Sequence, residues 1–543
     1  MSRKVSRGAI FNQNVSVNIP HTTFDLSHSN KFSCKPGYLY PIFCKRVVPG
    51  DFFQFTDQVL LRTMPMVTPA FVDFEVDVRY FYIPNRLVWK DFDDFITNPD
   101  QDTLIPPTVF FSLADSHIGD IFDFLGCPSV ESNGSSYDFK RDISAYRFRA
   151  YNLIWNTWYR DQNLQTELPD LSANGGESPD AMAEYQLLHA AWKRDYFTSC
   201  LPDAQFGSVA KGALSVEFVP NGDFGKIVNP SGSVYQPQNP AERTLRTENL
   251  GPLIPGGPDP TSGNLYSSSA TYAADMVGSN SRPIAYDPNG TLKSFLSVSE
   301  LREMSALQRF RERLMVGGRR IKEYIKSMFG IDIPDYRAQY PEFLGGGSIP
   351  ITIGDVPQTS STDATSPQGN LAGRGVSANS VFVPTTFIPE YGFIIGVMVV
   401  RPRADYFQGL DRELTQMDYY DYFNPMFEHI GEQEVLKSEL FGLGANSDGL
   451  FGYQSRNADY KYYNNEIHGQ MRDVGLSLGR WHLARLFANA PSLNSDFITC
   501  KPDIDRIMAV DGEDKLDQLV VQLRHHIISS RPMSEFSTPS LIG

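Results

Sequence analysis

Val72-Asp73-Phe74-Glu75-Val76-Asp77-Val78-Arg79-Tyr80-Phe81-Tyr82 decides the fold class. Successive side chains of a β-strand point to opposite faces, so Val72, Phe74, Val76, Val78, Tyr80 and Tyr82 share one face, and Asp73, Glu75, Asp77 and Arg79 the other. The pattern predicts a half-buried strand, stopped at Pro84, which has no backbone donor for a ladder. Outward from it, residues 52–62 follow a Pro49-Gly50 turn and are rich in aromatic and aliphatic side chains. Further strands are predicted at 391–400, 475–486 and 516–528, the last with Leu519, Val521 and Leu523 alternating against Val520, Gln522 and Arg524. Strands so far apart in the chain have to pair non-locally, which points to a sandwich or jelly roll.

A chain of 543 residues suggests three or four domains by length alone, but large β-sandwiches with long insertions break that prior. Hydrophobic residues at 41% and aromatics at 13% fill a sizeable core, and 37 Pro with 42 Gly imply many turns. The apolar run near Phe393 to Val400 is far shorter than the roughly 20 residues a membrane helix needs, so it reads as a buried strand and no membrane insertion is expected. The first residues, Met1-Ser2-Arg3-Lys4-Val5-Ser6-Arg7-Gly8, lead into polar sequence and not into the apolar stretch of a secretory signal, so assembly in a cytoplasm is expected. Cys34, Cys44, Cys127, Cys200 and Cys500 are odd in number and scattered without C-x-x-C, which suggests neither a disulfide framework nor a zinc site. A net charge of −15 argues against a surface generally attractive to nucleic acid, but leaves room for local basic patches.

Charge and composition divide the chain. Residues 1–50 carry seven Lys or Arg against the single acid Asp25 and read as a basic arm and lead-in. Residues 51–206 hold the first strands and a helix whose Phe148, Tyr151, Ile154, Trp155 and Trp158 fall on one face. Residues 207–290 contain ten Pro and eleven Gly and form a loop-dominated excursion expected to fold as a small lobe or against its own copies. Residues 291–543 complete the strands. They include a second helical stripe of Leu301, Met304, Leu307, Phe310 and Leu314 after a Ser297-x-x-Glu300 capping box, and a second exposed loop at 345–375. Plain core packing is the expectation for both stripes.

Catalytic chemistry has no signature here: G-x-S-x-G, H-E-x-x-H, a Walker A loop and an EF-hand loop are all missing from the sequence. His525-His526 sits on a predicted strand, where neighbours face opposite ways and cannot easily share a metal. Asp503 and Asp505 are the tidiest carboxylate pair and read as a solvated turn, so no catalytic, cofactor or metal residue is assigned. The basic segment from Arg302 to Lys326 carries eight Lys or Arg against Glu303, Glu312 and Glu323, broken by Gly317-Gly318. An inward-facing phosphate contact competes there with a solvated helix face or a subunit salt bridge. Tyr453, Tyr460, Tyr462 and Tyr463 with Arg456 and Lys461 suit base stacking or, equally, subunit contact.

Four aromatic, irregular phrases are decisive for kinship: Phe81-Tyr82-Ile83-Pro84-Asn85-Arg86-Leu87-Val88-Trp89, residues 151–161 from Tyr151 to Asp161, residues 451–462 from Phe451 to Tyr462, and Trp481-His482-Leu483-Ala484-Arg485. In this order they resemble the major capsid proteins of small single-stranded DNA phages, the gokushovirus branch of the microviruses, over nearly the whole length. The resemblance implies an eight-stranded antiparallel jelly roll elaborated with long loops and helices. It implies a T=1 icosahedral shell around circular single-stranded DNA, and an insertion at 207–290 that forms three-fold protrusions. Its partners would be copies of itself, packaged DNA, a small basic DNA-binding phage protein, a scaffolding protein and a host-surface receptor. Candidate DNA-facing residues are Arg3, Lys4, Arg7, Arg309, Arg313, Arg319, Arg320 and Lys322. Candidate interface anchors are Trp89, Trp155, Trp158, Tyr453, Arg456, Tyr460, Tyr462 and Trp481, and candidate protrusion residues are Asn249, Gly256, Gly257, Asn264 and Tyr266. A secreted carbohydrate-binding adhesin or a polysaccharide-cleaving enzyme is the rival; the first lacks an export signal and disulfides, the second needs two carboxyl groups roughly 5–9 Å apart.

Overall fold

The computed structural model describes residues 19–97, 104–112, 117–129, 140–205, 215–219, 291–295, 298–318, 320–357, 371–444, 449–509 and 516–535. Arg3, Lys4, Arg7, Ser297, Arg319, Asn249, Gly256, Gly257, Asn264 and Tyr266 lie outside the described residues. The chain forms two compact units, residues 1–206 with 312–543, and residues 207–311.

The first unit is built on ten strands: β1 (Thr22–Asp25), β2 (His28–Cys34), β3 (Tyr40–Val47), β4 (Phe52–Thr63), β5 (Phe74–Pro84), β6 (Glu342–Pro350), β7 (Thr352–Pro357), β8 (Leu371–Phe387), β9 (Gly392–Pro402) and β10 (Leu519–Arg531). One sheet runs β2-β10-β4-β8-β7, with β1 pairing along the end of β10 beyond β2; the other runs β6-β5-β9-β3. All these pairings are antiparallel. With short β1 and edge strand β7 set aside, the remaining strands numbered along the chain give the orders 1-8-3-6 and 2-7-4-5. These are the two four-stranded sheets of a jelly roll. The protein is mainly β, as its alternating segments predict.

The sandwich interior holds the inward side chains of both sheets, among them Phe53, Phe55, Val59 and Leu61 from β4, Val76, Val78 and Tyr80 from β5, and Leu519, Val521 and Leu523 from β10. The outward side chains of the first sheet, such as Gln54, Gln58 and Arg62 on β4 and Gln522, Arg524 and His526 on β10, are exposed. Sequence alternation is read correctly there. On β5 the half-buried expectation is corrected. Phe81 and Ile83 join a second core on the outer face, and Asp77 is buried with Ser348 and Arg401 as hydrogen-bond partners. β9 is likewise covered on both sides, Ile394, Met398 and Val400 facing the sandwich and Phe393, Ile395, Val397 and Val399 the second core. This explains its unbroken apolar run. Gly396 interrupts that run where a Cβ would stand 2.6 Å from the Tyr80 ring.

Tyr80 belongs to a polar cluster sealed between the sheets. Asp57 from β4 accepts from the Tyr80 hydroxyl and from His525 Nδ1 on β10, the latter at 2.9 Å, and all three side chains are essentially inaccessible. His526, the next residue, is exposed, so the two histidines do face opposite ways.

Long connections carry the rest. Residues 85–341 join β5 to β6, and residues 403–518 join β9 to β10. From the first comes α1 (Tyr146–Ile154), continued by a π-helical turn at Trp155–Tyr159. Its Phe148, Tyr151, Ile154 and Trp155 pack on β5 and β9 in the second core, the role expected of that stripe. From the second come Tyr406, Val435, Leu440, Phe451 and Phe497, which form a third core with Tyr196 and Phe197. The strand predicted at 475–486 is absent: a 3-10 turn at Ser477–Trp481 stands there, because these aromatic and apolar residues fill irregular niches and have no ladder partner.

In the second unit, Ser215–Val219 and Thr291–Phe295 pair antiparallel, with Val219 opposite Thr291. The excursion therefore leaves and returns through one two-stranded stem. Helix α2 (Val298–Gly317) begins in this unit, and α3 (Ile321–Phe329), which belongs to the first unit, begins after Gly318, whose φ of +92° suits glycine and makes the break foreseen at Gly317-Gly318. The core role expected for the α2 stripe is corrected: Leu301, Leu307 and Phe310 are exposed, while Met315 is buried.

Candidate interaction surfaces

Two of the aromatic anchors belong to the subunit's own interior. Trp89 is wholly buried, 5.4 Å from the Phe95 ring and 6.3 Å from Tyr146, and Trp155 is buried with its Nε1 donating to His189 O at 2.9 Å. Neither is available to a neighbouring subunit, so their assignment as interface anchors is corrected: the 85–341 connection folds over them. Trp158 is half-buried; its Nε1 donates to Pro341 O at 3.0 Å, and its ring lies under Lys322 Nζ at 5.8 Å.

The 451–462 phrase divides differently. Tyr453 is half-buried and exchanges backbone hydrogen bonds of 2.8 Å with Leu201. The Arg456 guanidinium donates to Tyr420 O, and Lys461 Nζ to Arg456 O at 2.9 Å, so these cations brace two turns against each other. Tyr460, Tyr462 and Tyr463 are exposed, with Phe423 6.4 Å from Tyr460. Beside them lies a surface that the sequence reading overlooked. Leu414, Met417, Tyr419, Tyr422, Phe423, Met426 and Ile430 are all exposed, Met417 at 87% and Met426 at 84%. Met417-Asp418-Tyr419-Tyr420-Asp421-Tyr422-Phe423-Asn424-Pro425-Met426-Phe427 was the available signal: it is dense in aromatic and Met side chains yet has neither helical nor strand period. So much apolar surface in one region marks a contact with another molecule.

Trp481-His482-Leu483-Ala484-Arg485 is a structural clasp. Trp481 is half-buried against Phe71 at 5.6 Å, and Leu483 and Ala484 are buried. The Arg485 guanidinium lies 4.0 Å from the Phe497 ring centre, 5.1 Å from Trp192 and 5.2 Å from Phe487. His482 Nε2 donates to Met471 O at 2.7 Å while Nδ1 accepts from Ala484 N at 3.2 Å, and burial pulls its pKa below the usual 6.5. A histidine held neutral in the fold favours the folded state above the unfolded pKa, and that contribution is lost as pH falls below about 6.5 because the unfolded chain binds the proton first. Acid lability below pH 6.5 is accordingly expected to be smaller in His482→Gln than in the parent, measured as the change in thermal midpoint between pH 7 and 5. An unchanged pH dependence would remove His482 from the account.

Among the basic candidates, Arg309 and Arg313 are exposed and share a face of α2 with Arg302. Arg320 and Lys322 are not free to meet DNA: Arg320 Nη2 donates to Asn156 O at 2.5 Å and Arg160 O at 3.3 Å, and Lys322 pairs with Asp335. Their assignment as DNA-facing residues is corrected on that ground. Both line a cleft of about 760 Å³ with Arg79, Arg160, Lys193 and Arg401. Lys193 pairs there with Glu75 and Arg401 with Asp77, so carboxylates already occupy most of its cations.

No helix among the described residues is long and apolar enough to cross a membrane, and no group of three metal-ligating side chains occurs among them. What remains is a jelly roll with thick connections and exposed aromatic surfaces. Residues 13–541 match the family model described as "Capsid protein (F protein)". The chain is 34% identical to capsid protein VP1 of Bdellovibrio phage phiMH2K over 99% of both chains. It is 31% identical to VP1 of Spiroplasma virus 4 over 100% of this chain and 99% of that one, and 30% identical to VP1 of Chlamydia phage 1 over 98% and 97%. The chain therefore belongs to the F capsid protein family, as a microvirus major capsid protein of the gokushovirus branch.

Proposed function

We propose that this capsid protein assembles as a T=1 icosahedral shell around a circular single-stranded DNA genome, in the host cytoplasm and with a scaffolding protein. The exposed aromatic surface at 414–430 and 460–463 carries the reading, because a subunit that stayed single would leave it in water. Trp158, Tyr453, Arg456, Tyr460, Tyr462 and Trp481 are the remaining interface anchors, and contacts on several sides would bury roughly 2,000 Å² or more each if obligate. With each subunit at −15, packaging needs local basic surface, a separate small basic DNA-binding protein, or both. The 207–290 excursion serves host attachment as a surface projection; the stem of Ser215–Val219 and Thr291–Phe295 supports this, since it brings both ends of the excursion together.

Uniform small icosahedra are expected in electron micrographs of purified particles, and a stable monomer in their place would overturn the shell. Deleting residues 256–268 is expected to leave particles intact while lowering adsorption to the host. Unchanged adsorption would remove the attachment role.

A further inference from the structure

We infer that the open face of the β2-β10-β4-β8-β7 sheet is a surface that meets the packaged single-stranded DNA. This rests on the reading of the chain as a DNA-enclosing shell subunit. The other sheet is covered on its outer face by segments between Val88 and Ala190 through the second core, whereas this one leaves the outward side chains of its central strands in solvent. Its outward strand positions carry Lys31, Arg62, Arg374 and Arg524, and Asp25 is the one carboxylate at such a position among the described residues. In a chain of net charge −15, this face is positive.

The four cations are exposed, and their side chains make no ion pair or hydrogen bond with another described residue. They differ in this from Arg320, Lys322 and Arg401, which are held by internal partners. Strands stand about 4.8 Å apart, so the cations form a flat array that a flexible phosphate backbone can follow. Gln54, Gln58 and Gln522 between them offer amide donors and acceptors. Exposed Phe52, Phe382 and Phe387 offer ring faces on which unpaired bases stack without regard to sequence, Phe52 and Phe387 lying 5.0 Å apart.

Charge decides against other occupants. A second copy laid on this face by two-fold symmetry would set like-charged arginines against one another, and a basic protein would be repelled. Single-stranded DNA supplies the missing charge.

Ultraviolet crosslinking of purified DNA-filled particles, followed by peptide mass spectrometry, tests the assignment. Nucleotide-modified peptides are expected within residues 52–63, 371–387 and 519–531. The Arg62→Gln, Arg374→Gln, Arg524→Gln triple variant is expected to form shells of parental size with less DNA per particle. The log–log slope of DNA retention against salt in opened particles should fall by about 2, at roughly 0.7 per lost phosphate contact. Lysine at the same three positions should restore DNA content. Filled particles whose crosslinks map elsewhere, or a triple variant with parental DNA content, would overturn the inference and leave the shell intact. Failure of the triple variant to assemble, with assembly rescued by lysine and no crosslinks on these strands, would reassign the face to contact between subunits. Particles without DNA in the parent would instead overturn the reading beneath it.

Discussion

Asp180→Ala is expected to destabilise the subunit by about 3–5 kcal/mol, the usual cost of leaving a buried charge without its partner. Arg149 on α1 meets Asp180 through a two-pronged contact, Nε to Oδ2 and Nη2 to Oδ1, each 2.8 Å, and both side chains are almost fully buried. The remaining valences are filled locally. Tyr185 donates to Asp180 Oδ2 at 2.6 Å, and Arg149 Nη1 donates to Asn174 O at 2.9 Å and Val88 O at 3.2 Å. The cluster thus ties four stretches of the 85–341 connection over the second core. Removing the carboxylate alone strands the guanidinium, whereas replacing both members by apolar residues of similar volume removes the desolvation cost with the pair. Arg149→Met with Asp180→Leu should therefore recover most of the loss. Denaturant unfolding of the three proteins checks this, and an Asp180→Ala cost below about 1 kcal/mol, the level of an exposed pair, would mean that the pair is not buried in solution.

The second expected result separates the subunit's own core from its contacts. Trp89→Ala should cost about 3–5 kcal/mol of subunit stability, since it empties a fully enclosed site beside Phe95 and Tyr146. Tyr460→Ala with Tyr462→Ala should change subunit stability by no more than about 0.5 kcal/mol, because both rings are half in solvent. The same double variant should lose shell yield. Denaturant midpoints of subunits, compared with particle yield on a sucrose gradient, give the two readouts. A Trp89 variant stable as a subunit but unable to assemble would restore that tryptophan to an interface, and normal shells from the tyrosine variant would remove those rings from one.

The first sheet was largely legible because each of its central strands writes its own direction: one face buried and one wet forces alternation, as in Leu519, Val521 and Leu523 against Val520, Gln522 and Arg524. β5 writes the same alternation up to Arg79 and was read as half-wet. What covers its outer face is supplied by residues far along the chain, among them Tyr151 and Trp155. Residues 475–486 failed as a strand for the converse reason, since apolar density there serves niches around Arg485 and Phe497 and no neighbour offers a ladder.

Sequence by itself determined the β class, the buried run at β9, the helix break at Gly317-Gly318 and the kinship of the chain. These depend on side-chain order within a few residues, or on phrases kept intact. Tertiary structure alone decided which tryptophans were available to a neighbour, and that Arg320 and Lys322 were already paired while Arg62, Arg374 and Arg524 have no side-chain partner among the described residues. Local order says which way a side chain points, but what it meets there is brought by segments hundreds of residues distant. Burial and charge pairing are properties of that meeting.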